Sequence, residues 1–131
     1  MVELPEAVKR LIEAPNLAHF VTLMPSGSPQ VTPLWVDHDG THVLVNTAEG
    51  RQKPRNLRRD PRIGMTITAA GDPWNKADVR GRVVGFVEGE EADAHIDDLA
   101  EKYIGQRPYP WRQPDEKRVI VVIEPERVYE M

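Results

Sequence analysis

Three runs rich in β-branched and aromatic residues follow one another with almost nothing between them. Residues 17–24 (LAHFVTLM), 30–36 (QVTPLWV) and 41–47 (THVLVNT) are parted only by short turns built on Pro25-Ser26-Gly27-Ser28 and Asp37-His38-Asp39-Gly40. A parallel crossover needs a dozen or more residues, so these runs have to pair antiparallel. No strand–helix–strand alternation follows later in the chain, which argues against a doubly wound sheet.

The remaining β signals fit the same plan. Residues 63–69 (IGMTITA) and 77–88 (ADVRGRVVGFVE) read as strands around a turn at 70–73 that carries Trp74. The second of these alternates Val79, Gly81, Val83, Gly85 and Val87 on one face. Glycines four apart predict tight curvature, as at a barrel corner, or close approach by another backbone or a ligand. Residues 117–124 (KRVIVVIE) have a continuous apolar centre, buried on both sides or pressed against a partner, and 127–131 give a short last strand. Pro33 lies inside the second run and predicts an edge or an interrupted ladder. Trp35, two residues on, marks where an irregular strand opens a pocket.

Helical spacing places Val8, Leu11 and Ile12 on one face of residues 5–14, and Ala92, His95, Ile96 and Leu99 on one face of 90–104, with Gly105 as its cap. The proline-rich stretch 106–116 is a loop. The expectation is one domain over residues 1–131, mainly β with peripheral helices (α+β), closed as a small antiparallel barrel.

Residues 47–62 (TAEGRQKPRNLRRDPR) carry the clearest chemical signal. Arg51, Lys53, Arg55, Arg58, Arg59 and Arg62 fall in twelve positions with Asp60 as the only acid, a local +5. The chain totals −4, so everything else sums to −9. A compact cationic site in an acidic protein suggests a specific anionic ligand. Pro54 suits the first position of a short helix, 55–59, which ends before Asp60-Pro61. Its free N–H groups, with Arg51 and Lys53 beside them, form a site suited to phosphate. The same run also fits a solvated basic turn, and spacing alone leaves both open.

Other chemistries find little support. There is no cysteine, and the only serines, Ser26 and Ser28, lie in a turn outside any triad motif. His19, His38, His42 and His95 show no metal-ligand spacing, so no metal is expected. The acidic balance and a basic stretch without interleaved aromatics argue against nucleic acid. The N-terminal MVELPEAVKRLIEA lacks a signal-peptide core, and no run reaches membrane-spanning length, so the reading is cytoplasmic with no membrane partner. No catalytic side chain stands out. A phosphate site, Trp35 and Trp74 as walls for a flat ring (or as core residues), and a small barrel suit a cofactor that brings its own reactivity.

The basic segment, followed by a strand and then VRGRVVGF, resembles the split-barrel flavin and deazaflavin oxidoreductases, more narrowly the pyridoxamine-phosphate-oxidase-like class that uses coenzyme F420. The Arg51-x-Lys53-x-x-Asn56-Leu57 run, Gly27-Ser28-Pro29, Pro33-Leu34-Trp35 and KYIGQRPYPW carry the likeness, and the element order agrees over nearly the whole chain. The resemblance implies an antiparallel split β-barrel and a homodimer with cofactor sites at the interface. It implies that Arg51 and Lys53 grip the cofactor phosphate, with Asn56 in the same motif. Asn46, Thr47 and Ala48 would line the chromophore and its polyol, Pro33 and Trp35 would border the ring, and Trp74 would come from the partner subunit. The implied chemistry is hydride transfer from reduced F420 to an unsaturated small-molecule acceptor. FMN is the alternative cofactor, in an oxidase or reductase of the pyridoxamine-phosphate-oxidase type. A non-enzymatic binder of the cofactor or of a tetrapyrrole is a further alternative.

Overall fold

The computed structural model describes residues 2–130. The elements are α1 (Glu6–Glu13), β1 (Ala18–Leu23), β2 (Pro29–Leu34), β3 (Val36–His38), β4 (Val43–Ala48), α2 (Gln52–Arg59), β5 (Arg62–Ala69), β6 (Asp72–Glu88), α3 (Glu90–Ile104) and β7 (Arg118–Glu130). All seven strands join one antiparallel sheet in the order β2-β1-β5-β6-β7-β4-β3.

The sheet's two edges, β2 and β3, are consecutive in the chain and separated by Trp35 alone. One residue spans only a few ångströms, so the sheet has to curl until its edges meet. Two details of the second run explain the break. Pro33 is tolerated in β2 because β2 is an edge strand whose only neighbour is β1. Beyond it, the Val36 N–H is bound by the Tyr103 hydroxyl at 3.1 Å, and the Val36 carbonyl accepts from Lys102 Nζ at 2.7 Å. The Tyr103 hydroxyl in turn donates to the Asn16 carbonyl at 2.6 Å. Side chains of α3 thus hold the backbone where it changes ladders.

The inner face of the curl is apolar. Phe20, Val36, Val43, Val45, Ile67, Val79, Val121 and Ile123 are fully or almost fully buried there, joined by Val8, Leu11 and Ile12 from α1. Among the described residues, no helix is long and apolar enough to cross a membrane.

Several boundaries differ from the sequence-based expectation: the turn expected at Asp37–Gly40 runs over 39–42, because Asp37 and His38 join β3. The second run is split into β2 and β3. The fifth strand begins at Asp72, so Trp74 lies on β6 and not in a turn. Helix α2 begins at Gln52, ahead of Pro54. The last two expected strands are one, because Pro125 pairs opposite Gly81, where the ladder already shifts register and lacks nothing by the missing N–H. The expected last strand ended on Met131, which lies outside the described residues.

Both glycines of β6 mark register shifts against β7, yet they differ in kind. A Cβ on Gly81 would stand 2.3 Å from the Glu124 carbonyl oxygen, whereas one on Gly85 would meet Val122 at an ordinary 3.8 Å. Gly81→Ala is therefore expected to destabilise the protein by about 1–3 kcal/mol, the usual cost of overpacking, and Gly85→Ala to cost well under that. Urea unfolding of the two variants measures the contrast.

Candidate functional site

Helix α2 opens three residues beyond the end of β4, after the turn Glu49-Gly50-Arg51, and its first turn contains no acid. Arg51 is the N-cap residue, and no side chain caps the helix. The first-turn N–H groups of Gln52 and Lys53 have no acceptor within a helix. Lys53 Nζ donates to Thr32 Oγ1 of β2 at 2.8 Å. Burial, and then the nearby Arg51 guanidinium, push the Lys53 ammonium below its ordinary pKa. An anion bound there would offset both effects. Arg51 reaches Glu116 only at 3.5 Å.

Asn56 anchors this helix. It is fully buried; its amide nitrogen donates to Thr22 Oγ1 at 2.9 Å, and its oxygen accepts from Gln52 Nε2 at 2.8 Å. Its role in the geometry is to fix α2 against β1, with its polar atoms already engaged. Thr47 and Ala48, at the end of β4, are buried.

A cleft of about 190 Å³ opens beside the β2–β3 break, lined by Pro33, Leu34, Trp35, Asn46, Tyr109, Trp111 and Arg118, with Ile96 and Leu99 of α3. One face of Trp35 stacks on Tyr103 at 5.3 Å with 6° between planes. Tyr109 meets it edge-on at 6.1 Å, and Trp111 lies 6.3 Å away. The pocket expected beside the irregular strand is thus present, and its wall is aromatic. Pro33, Trp35 and Asn46 meet in it, while Arg51 and Lys53 meet at the start of α2. Trp74 joins neither group in this chain; it is 74% exposed on β6.

Sequence reasoning missed the polar chain behind the cleft. Arg118 Nε donates to Asn46 Oδ1 at 2.8 Å, and Arg118 Nη1 to Glu116 Oε1 at 2.8 Å. A guanidinium only donates, so it fixes which end of the Asn46 amide is oxygen. The amide nitrogen therefore faces His95 Nδ1 at 3.1 Å and the Ala92 carbonyl at 3.0 Å. His95 Nδ1 has to accept, which places the ring proton on Nε2, 3.0 Å from Asp37 Oδ2. Five elements or loops are tied together by these links: β3, α3, β4, β7 and the loop before β7. Only the basic-to-apolar start of the last strand hinted at Arg118, and nothing adjacent in sequence pairs it with Asn46.

Residues 4–131 match the pyridoxamine 5'-phosphate oxidase family. The chain belongs to the pyridoxamine 5'-phosphate oxidase family. Its curled sheet is the split β-barrel of that fold, which binds flavin-type cofactors and serves oxidoreductases. A solved F420 reductase is 30% identical with a TM-score of 0.84, covering 98% of this chain and 100% of that one. A conserved hypothetical protein from Mycobacterium tuberculosis is 25% identical with a TM-score of 0.70, covering 95% and 82%. A Listeria innocua protein described as a pyridoxamine 5'-phosphate oxidase shares the fold at 17% identity and a TM-score of 0.69, covering 93% of each chain. The residues present fit a phosphorylated flat-ring cofactor: cations and free N–H groups at α2, and an aromatic wall across β2.

The Asp37–His95 pair predicts an acid response. Burial pushes the Asp37 carboxyl up, but hydrogen bonds from His95 and the His38 N–H, with the positive charge of Lys102, outweigh it and hold it below its ordinary 3.8. A depressed carboxylate stabilises the fold fully above the unfolded value, about 3.9, and loses that contribution as pH falls through the lower folded value. Asp37→Asn keeps an acceptor for His95 but removes the charge. Its unfolding free energy is expected to fall less steeply than the parent's below about pH 4, measured by urea unfolding at stepped pH.

Proposed function

We propose that the protein is an F420-dependent reductase, acting as a homodimer on an unsaturated small-molecule acceptor. The observation that carries this reading is a cationic, uncapped start of α2, one strand away from an aromatic-walled cleft. Arg51 and Lys53 would hold the coenzyme phosphate with the first-turn amides, and Pro33, Trp35 and Asn46 would border the ring. Bound and reduced, the coenzyme supplies a hydride to the acceptor. The chain's own part is to position both partners and keep the cleft dry. Asn56 would act indirectly, by fixing the helix that carries the phosphate site. Trp74, on an exposed strand, would contribute from the partner subunit.

The arginines of α2 favour F420 over FMN. Arg58 is paired with Glu49 at 2.8 Å, and Arg62 with Asp60 at 2.7 Å. Among the described residues, Arg55 hydrogen-bonds to Gln52 Oε1, and Arg59 to the Leu23 carbonyl and Asn56 Oδ1, all neutral acceptors. Those two, four positions apart on one helix, are left to meet the anionic tail that F420 carries beyond its phosphate and FMN lacks. The structural likeness to an F420 reductase supports the same choice.

Side-by-side titration of the apoprotein with F420 and FMN tests the reading. Tighter F420 binding is expected; tighter FMN binding moves the protein to the flavin branch. Lys53→Ala and Arg51→Ala should each weaken F420 binding by about 1–3 kcal/mol, the worth of a hydrogen bond to a charged group. Unchanged affinity in both variants would remove the phosphate from this end of α2. Sedimentation or light scattering at working concentration checks the dimer.

A further inference from the structure

One buried carboxylate is shared by two guanidinium groups. Glu116 Oε1 accepts from Arg118 Nη1 at 2.8 Å, and Glu116 Oε2 lies 3.5 Å from Arg51 Nη2. The Glu116 side chain is 5% exposed, whereas that of Arg51 is 55% exposed. Backbone bonds on both sides hold Glu116 in this place. Its N–H donates to the Gln113 carbonyl at 3.2 Å. The next carbonyl, that of Lys117, accepts from the Glu49 N–H at 2.9 Å, in the turn that leads into α2.

The two arginines differ in how far they are committed. Arg118 donates Nε to Asn46 and Nη1 to Glu116. Among the described residues, Glu116 is the one acid within ion-pair distance of Arg51. An anion taken by Arg51 and Lys53 therefore shares the Arg51 guanidinium with Glu116 and comes to lie close to its carboxylate. Attraction to the cations and repulsion from the carboxylate both scale with the charge of the anion. Without the carboxylate, a doubly charged group gains more from the cations than a singly charged one. With it, much of that difference is cancelled. Arg118 offsets the repulsion only in part, since it holds the other carboxylate oxygen. The distinction bears on phosphate esters. A phosphomonoester carries a charge of about −1.5 to −2 at pH 7, with a second pKa of about 6. A phosphodiester has no second proton to lose and carries one charge. FMN ends in a monoester, whereas the F420 phosphate, with a tail attached beyond it, is a diester.

We propose that Glu116 sets the charge preference of the phosphate site at the start of α2. It cancels the advantage of a doubly charged phosphomonoester, so that a singly charged phosphodiester competes with it. This rests on the reading that Arg51 and Lys53 hold a phosphate, and not on the reaction that follows. Glu116 is then a specificity-determining residue that acts on the bound phosphate through charge.

Two probes with the ring and ribityl chain of F420 isolate the effect: the deazaflavin 5'-phosphate, a monoester, and its methyl phosphodiester. Each is titrated into the full-length apoprotein at about pH 7.5 and followed by the absorbance of its ring. In the parent the two are expected to bind within about threefold of one another. In Glu116→Gln the monoester should gain about tenfold on the diester, the effect of one unit charge several ångströms away near the surface. At about pH 5 the monoester has regained a proton, and its lead in the same variant should fall to about twofold or less. That measurement separates charge from the bulk of the methyl group. Glu116→Gln leaves the buried Arg118 charge unpaired. The double variant Glu116→Gln/Arg118→Met removes both charges, and there the monoester should still lead by about threefold or more. Asp115→Asn removes an exposed acid one residue away and should keep the parent ratio. A ratio that stays at the parent value in both Glu116 variants, an equal shift in Asp115→Asn, or a lead that persists at about pH 5 would overturn the proposal. Lys53→Ala tells this failure from failure of the phosphate site. If it weakens both probes while the Glu116 variants keep the parent ratio, the role of Glu116 alone is lost. If it weakens neither, the phosphate site is lost as well.

Discussion

The passage of one strand from one sheet edge to the other, through the single residue Trp35, is the constraint on which this structure turns. Closure follows from it, because β2 and β3 cannot sit at opposite edges of a flat sheet. The cleft follows as well. Where the backbone leaves one ladder and has not yet joined the next, space opens between the edges, and Trp35 stands in it. The N–H and C=O of Val36 are met by Tyr103 and Lys102 from α3. A helix that lies outside the sheet is thus part of what keeps the break in one place. Tyr103 does this twice, since its ring also backs the Trp35 indole.

Charge divides the site into two ends with opposite requirements. At the start of α2, cations outnumber acids, and the desolvated Lys53 ammonium gains from an anion. Behind the cleft, Arg118 and Glu116 form a buried ion pair. Glu116 sits between the two ends, close to Arg118 and more loosely to Arg51. A ligand with a phosphate at one end and a flat ring at the other fits this division.

Local chemistry made much of this legible. The tight turns required antiparallel pairing, Pro33 marked an edge, the glycines of β6 marked bends, and the basic segment with Pro54 located α2. Each of these signals acts within a few residues. Asn46–Arg118, His95–Asp37 and Tyr103–Val36 join positions far apart in sequence, and no spacing rule encodes them. Pro125 shows the limit of local rules in the other direction: it looks like a strand end, but an existing bulge opposite Gly81 absorbs it. Asn56 was readable as part of a motif, while its burial beneath α2 became visible only once β1 was in place. The family resemblance named Pro33 and Trp35 for the ring and Asn46, with Thr47 and Ala48, for the chromophore and its polyol; of these, the cleft brings Pro33, Trp35 and Asn46 together. It gave no indication that Arg118 would be among them.

Amide hydrogen exchange at the start of α2 tests the central claim most directly. The N–H groups of Gln52 and Lys53 have no helical acceptor and should exchange freely in the apoprotein. Saturation with F420 should slow both, because the phosphate takes those protons, and the slowing should diminish in Lys53→Ala. If F420 binds while exchange at Gln52 and Lys53 is unchanged, the phosphate lies elsewhere, and the anion site at α2 is a solvated basic turn.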